Sequence, residues 1–169
     1  MSLERGGSRF PAKEGSPFAT SWRVDDVFGL RQQHFSFVGL FYIGFEPFSI
    51  EKEKLSKTKC RLIERFADVD KERYTAAVYL IAQIGKNFAV EDGERISGDE
   101  LLRLAFEKLY VAREIVGGKL VLVERDMKSP ELVKFYTRWN FQSWNERHDC
   151  KDGVDYDQKL CVLSNALVA

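Results

Sequence analysis

The sequence predicts an α/β domain of the α+β three-layer kind, a mixed sheet with helices on both faces. Three observations predict it. Ala76–Val90 is apolar on both of its faces, as a central strand covered on either side must be. Ser97–Val116 carries a helical stripe of Leu101, Ala105, Leu109 and Ala112, widened by Leu102 and Phe106. Strand and helix patterns follow one another as β-β-(α)-β-α-β-α-β-β. With 169 residues, 44% hydrophobic and 13% aromatic, the chain is long enough for one core, and it is neither disordered nor fibrous.

In order along the chain, residues 1–18 have no apolar periodicity and predict a flexible leader, ahead of a domain over 19–169. A short strand is expected near Trp22. His34–Ile50 is rich in Phe, Val, Tyr and Ile and is broken for a helix by Gly39, Gly44 and Pro47, so it predicts a strand. Within Glu51–Asp70 a short helix is expected over Leu55–Phe66. In the next strand, Ala76–Val90, alternation places Val78, Leu80, Ala82 and Ile84 on one face and Tyr79 and Ile81 on the other, with Gly85 as the place for a bulge or a close backbone approach. Ser97 opens the long helix and Gly117-Gly118 closes it. Lys119–Glu124 is a buried strand. Ser129-Pro130 starts a helix over Pro130–Trp139 that stops at Asn140, a residue tolerant of the left-handed conformation. Phe141–Asn145 and Asp157–Ser164 read as two closing strands.

Twenty-six basic residues balance 26 acidic ones, and that zero net charge disfavours a nucleic-acid partner, whose phosphates must be neutralised. Three scattered cysteines, Cys60, Cys150 and Cys161, predict a reducing, cytoplasmic setting. No apolar run reaches a membrane span, so no membrane partner is expected. His148-Asp149-Cys150 lacks the paired spacing of metal ligands, and no metal is expected. Aromatics around Phe35–Phe48 either build the sheet or form a homodimer contact.

The stretch with the most chemistry is Arg95-Ile96-Ser97-Gly98-Asp99-Glu100-Leu101, between a central strand and a long helix. Such a junction aims free N–H groups and the positive end of the helix dipole at one spot, which suits phosphate. Ser97-x-x-Glu100 is equally a capping box, which needs no ligand.

Taken with Leu120–Glu124 and Phe135-Tyr136-Thr137-Arg138-Trp139-Asn140-Phe141, this stretch resembles the GNAT (GCN5-related N-acetyltransferase) superfamily. In that family, Arg/Gln-x-x-Gly-x-Gly/Ala opens the long helix, and a later helix carries Phe-Tyr-x-x-x-Gly-Phe. The likeness is nearest a bacterial branch with an Ile-Ser/Thr-Gly-Asp-Glu-Leu-Leu loop. It implies a mixed, mostly antiparallel sheet and an acetyl-CoA-dependent N-acyltransferase acting by direct attack in a ternary complex on a small-molecule or protein amine, with an aminoacyl-tRNA, as in the family's toxins, left open though disfavoured by the zero net charge. It also implies that the amides of Ile84, Gly85, Lys86 and Asn87 hold the pantetheine arm of acetyl-CoA. The pyrophosphate would sit on the amides of Ile96, Ser97, Gly98, Asp99, Glu100 and Leu101, with Arg95 beside them. Tyr136 would protonate the departing thiolate, and Glu124, at a strand end, is the candidate base.

The sequence departs from the pattern in three places. Glu100 stands where a small residue is usual, Asn140 replaces a glycine, and the N-terminal elements that wall the acceptor site are shortened. The alternative is therefore a non-catalytic GNAT-like module that binds CoA or a protein and has lost its acceptor site. Glu51–Arg65, with six basic and three acidic residues, is either a solvated face or a site for the 3′-phosphate of CoA or an anionic acceptor.

Overall fold

Residues 37–149 and 153–163 are described by the structure, a computed structural model. The leader, the strand expected near Trp22, Cys150 and the wall of the acceptor site lie outside these residues. β1 (Gly39–Glu51) and β3 (Arg73–Lys86) pair antiparallel along their full lengths, and the short β2 (Ala67–Val69) joins the start of β3. Between β1 and β2 come a 3-10 turn at Lys52–Lys54 and α1 (Lys57–Ile63), capped by Ser56. After β3 the chain runs through α2 (Gly98–Val116), β4 (Leu120–Asp126), α3 (Pro130–Arg138), β5 (Gln142–Asp149) and β6 (Val154–Val162). The sheet order is β1-β3-β4-β6-β5, with β2 beside β3 off that path. Every pairing is antiparallel except β3 with β4, which α2 connects as a crossover must.

Helices cover both faces. On one, Leu101, Leu102, Ala105, Phe106 and Leu109 of α2 and Tyr136 of α3 pack on Tyr79, Ile81, Val121 and Val123. On the other, Ile63 of α1 packs with Phe48, Ile50, Val78, Leu120, Leu122 and Trp144. Phe41 and Phe48 are thus core residues of β1, and among the described aromatics of this stretch Phe37 is the one well exposed, at 41%. Gly117 (φ 75°) and Gly118 (φ 86°) end α2, and Asn140 takes φ 61° after α3, as the sequence predicts. No helix among the described residues is long and apolar enough to cross a membrane.

The alternation expected along Ala76–Val90 fails at one point. Tyr42 pairs with Gln83 but Ile43 pairs with Ile81, so Ala82 is an extra residue in β3. This bulge reverses the facing of everything after it, and Ile84 packs with the Tyr79 and Ile81 group instead of lying with Val78 and Leu80. Gly85 is not the bulge. The close backbone approach nearby belongs to Gly39, where a Cβ would come within 2.9 Å of the Gly85 carbonyl oxygen. The helix expected over Leu55–Phe66 is confined to α1, and β2 was not expected. β5 and β6 run further than their apolar cores, because polar side chains bond across them, Asn145 to Gln158 at 2.8 Å and Ser143 to Asp157 at 3.0 Å.

Candidate functional site

The second neighbour of β3 changes along its length. It is β2 at Tyr74–Ala76 and β4 from Val78 to Ile81, and from Ala82 onward neither strand pairs with it. β4 in turn runs three residues past Val123 with β6 as its partner. The two parallel strands therefore part after the Ile81–Val123 pair, and the Ala82 bulge sits at the parting, where extra twist bends β3 aside. Asn87 N–H donates to the Val38 carbonyl at 2.8 Å, so its backbone faces β1. By alternation Gly85 faces β1 too, and the N–H groups of Ile84 and Lys86 face the gap. Of the four residues Ile84–Asn87 expected to hold an arm, two thus present donors to it. Asn87 is a turn residue instead. Its side chain donates to Phe37 O at 2.7 Å and accepts from Ala89 N at 3.0 Å. It helps line a cavity of about 410 Å³ with Phe37, Val90, Glu91 and Glu94.

At the start of α2, Ser97 Oγ accepts from Glu100 N at 3.0 Å, and Ser97 O accepts from Leu101 N at 3.1 Å. Those two amides are spent on the helix, and the first-turn N–H groups of Gly98 and Asp99 are the ones without an intrahelical acceptor. Ile96 and Leu101 have buried side chains and offer only backbone. A methyl added at Gly98 would rest on Phe135 at 3.4 Å, an ordinary contact, so packing does not demand glycine there. The Glu100 side chain is exposed.

Arg95 is tied down within its own loop. Nε donates to Val90 O at 2.8 Å, one terminal nitrogen to Phe88 O at 2.7 Å, and the other pairs with Asp92. The cation at the α2 N-terminus is Arg138, whose guanidinium lies 3.2 Å from the Asp99 carboxylate. Trp139 Nε1 donates to the same carboxylate at 2.8 Å while its ring stacks on Phe106, 5.6 Å between centroids. Asp99 thus locks the end of α3 to the start of α2, and its charge is balanced there. No sequence signal marks this pairing, since Asp99 and Arg138 are 39 residues apart.

Tyr136 packs in the group that holds Ile81 and Val123, the last pair before the strands part. Phe135 and Phe141 meet its ring edge-on at 5.1 and 5.5 Å. Burial raises its phenol above the usual tyrosine value near 10. Its hydroxyl has no hydrogen-bond partner among the described residues. Glu124 is the first β4 residue past the ladder and follows Leu122 onto the opposite face of the sheet. Its oxygens accept from both ends of the Arg147 guanidinium at 3.0 and 2.9 Å and from Gln158 at 2.8 Å. That fork, with Asp149 as a further partner, raises the Arg147 pKa. A carboxylate so engaged orients β5 and β6 and is poorly placed to take a proton. His148 is paired with Asp155 at 2.7 Å.

No family model matches the chain, and neither does any curated protein. Three solved structures are similar in outline. A bacterial toxin is 17% identical over 78% of this chain and 63% of its own, with a TM-score of 0.49. A tyrosine-to-phenylalanine mutant of the AtaT toxin is 10% identical over 75% and 59%, at 0.47. AtaT complexed with acetyl-methionyl-tRNA is 14% identical over 70% and 61%, at 0.40. This chain spans less than two thirds of the length of each. The expectation that a nucleic-acid partner is disfavoured is corrected by the last of these, a chain of similar outline that does hold a tRNA. The physical reason is that phosphates respond to local charge, and a chain of zero net charge still carries an excess of three positive charges over Glu51–Arg65.

Proposed function

We propose that the protein is an acetyl-CoA-dependent N-acyltransferase of the GNAT kind. The observation that carries this reading is the parting of β3 and β4 after the Ile81–Val123 pair, which lies in the same packed group as Tyr136. An extended amide-bearing arm fits such a gap as a partial strand, taking hydrogen bonds from Ile84 and Lys86. The pyrophosphate would meet the Gly98 and Asp99 amides and Arg138, in place of Arg95. The amine nitrogen attacks the thioester carbonyl, a C–N bond forms as the C–S bond breaks, and Tyr136 gives its proton to the departing sulfur. Water, rather than Glu124, takes the proton the amine loses.

The second reading, a module that binds CoA without transferring, draws on the engagement of Arg95 and Glu124 by their neighbours. Calorimetric titration of acetyl-CoA and CoA, followed by turnover assays, separates the two. The acceptor panel should hold small amines, a protein amine and an aminoacyl-tRNA. Binding with transfer supports the enzyme. Binding without transfer to any acceptor supports the module. A folded protein that binds neither thioester nor thiol overturns both.

A further inference from the structure

A second set of charged groups lies where β4, β6 and β5 run side by side. The side chains of Arg125, Lys159 and Asp157 are only 8%, 4% and 6% exposed. One oxygen of Asp157 accepts from Arg125 at 2.9 Å and from the Ser143 hydroxyl at 3.0 Å, and it lies 3.4 Å from the Lys159 ammonium. Lys159 also donates to the Ser143 hydroxyl at 2.8 Å. Two buried cations therefore share one carboxylate, and Arg125 Nε has no acceptor at all. Burying an uncompensated charge is costly, and a chain keeps one where a ligand offsets it.

The surroundings point the same way. Arg125, Ser143 and Asp157 line a cavity of about 650 Å³ together with Lys54, Lys59 and Glu146. That volume falls in the range of small-molecule sites. Three cations face two carboxylates on its wall, Lys54 being paired with Glu51 at 3.1 Å, and Lys159 adds a cation beside Asp157. Lys59 comes from α1, where its ammonium donates to the Ser143 carbonyl at 2.5 Å and lies 5.5 Å from the Trp144 ring centre. Among the described residues no carboxylate pairs with it.

We infer that this cavity binds a small molecule through an oxyanion, a carboxylate or a phosphate, held by Arg125 and Lys59. The site is distinct from the α2 N-terminus, because its lining comes from β4, β5, β6 and the segment Lys54–Lys59 and includes no residue of α2. It stands whether or not the chain transfers acetyl groups.

The test is titration of the full chain at low salt, without CoA, using inorganic pyrophosphate in one arm and succinate in the other. Saturable one-to-one binding of either probe is expected, and the tighter probe tells phosphate from carboxylate. Lys59→Gln, on a half-buried side chain, should weaken it about tenfold. Arg125→Lys should do the same while keeping the charge, because the guanidinium fork is lost. Lys108→Gln, on the outer side of α2, should leave it unchanged. The inference is overturned if neither probe saturates, if Lys59→Gln has no effect, or if Lys108→Gln weakens binding equally. Displacement of the probe by CoA would overturn it as well, making the cavity part of a CoA site.

Discussion

Tyr136 combines two properties seldom found in one side chain, a ring closed in by Phe135 and Phe141 and a hydroxyl with no hydrogen-bond partner among the described residues. Burial holds the phenol protonated, which is the state a general acid needs. Tyr136→Phe should cut kcat at least about tenfold and leave CoA affinity nearly unchanged, because the ring stays and only the proton source goes. Single-turnover rates beside calorimetric affinities check it, and full activity in the phenylalanine variant would remove Tyr136 from the mechanism. Residues whose role is set by immediate neighbours were legible in the sequence: Ser97 as a cap, Gly117 and Asn140 at helix ends. Glu124 was not, because its partners Arg147 and Gln158 lie 23 and 34 residues away on strands that only the finished sheet brings alongside. Arg95 misled for the opposite reason. Its partners, Phe88, Val90 and Asp92, are so near in the chain that they claim it before any ligand could.

At the scale of elements, the identity of each strand and helix followed from apolar spacing, while the defect in β3 did not. Ala82 is small and exposed, so an extra residue there leaves no mark on the pattern. The order of strands was equally hidden, since a run of strands and helices does not state that β6 enters between β4 and β5. The end of β3 is held against β1 by the close passage at Gly39. A methyl group there would lie 2.9 Å from the Gly85 carbonyl and 3.0 Å from a Leu101 methyl, and the backbone oxygen cannot turn away. Gly39→Ala should cost about 1–3 kcal/mol, seen as a lower urea midpoint at unchanged m-value. Gly85→Ala, which would meet nothing within 4 Å, should stay within about 0.5 kcal/mol of the parent. Equal behaviour of the two would contradict the close passage.

For the molecule as a whole, four tyrosines share one electrostatic direction. Tyr74 is raised chiefly by its hydrogen bond to Glu64, and Tyr79, Tyr110 and Tyr136 chiefly by burial. A pKa raised on folding means the folded chain holds the proton more tightly than the unfolded one. The resulting stability is fully present below about pH 10, the unfolded value, and is lost as pH rises through the folded values. Urea midpoints should therefore hold level with respect to these groups up to about pH 10 and fall above it, and a midpoint that rose there would reverse the sign. The place of β6 in the sheet has a further consequence, one of timing. A ribosome delivers β4 and β5 before residues 154–162, so each waits with a bare edge until the strand that joins them emerges. During that interval a nascent chain carries its apolar sheet half built, open to chaperones and to other strands. A message cut short before Val154 would yield a product unable to close.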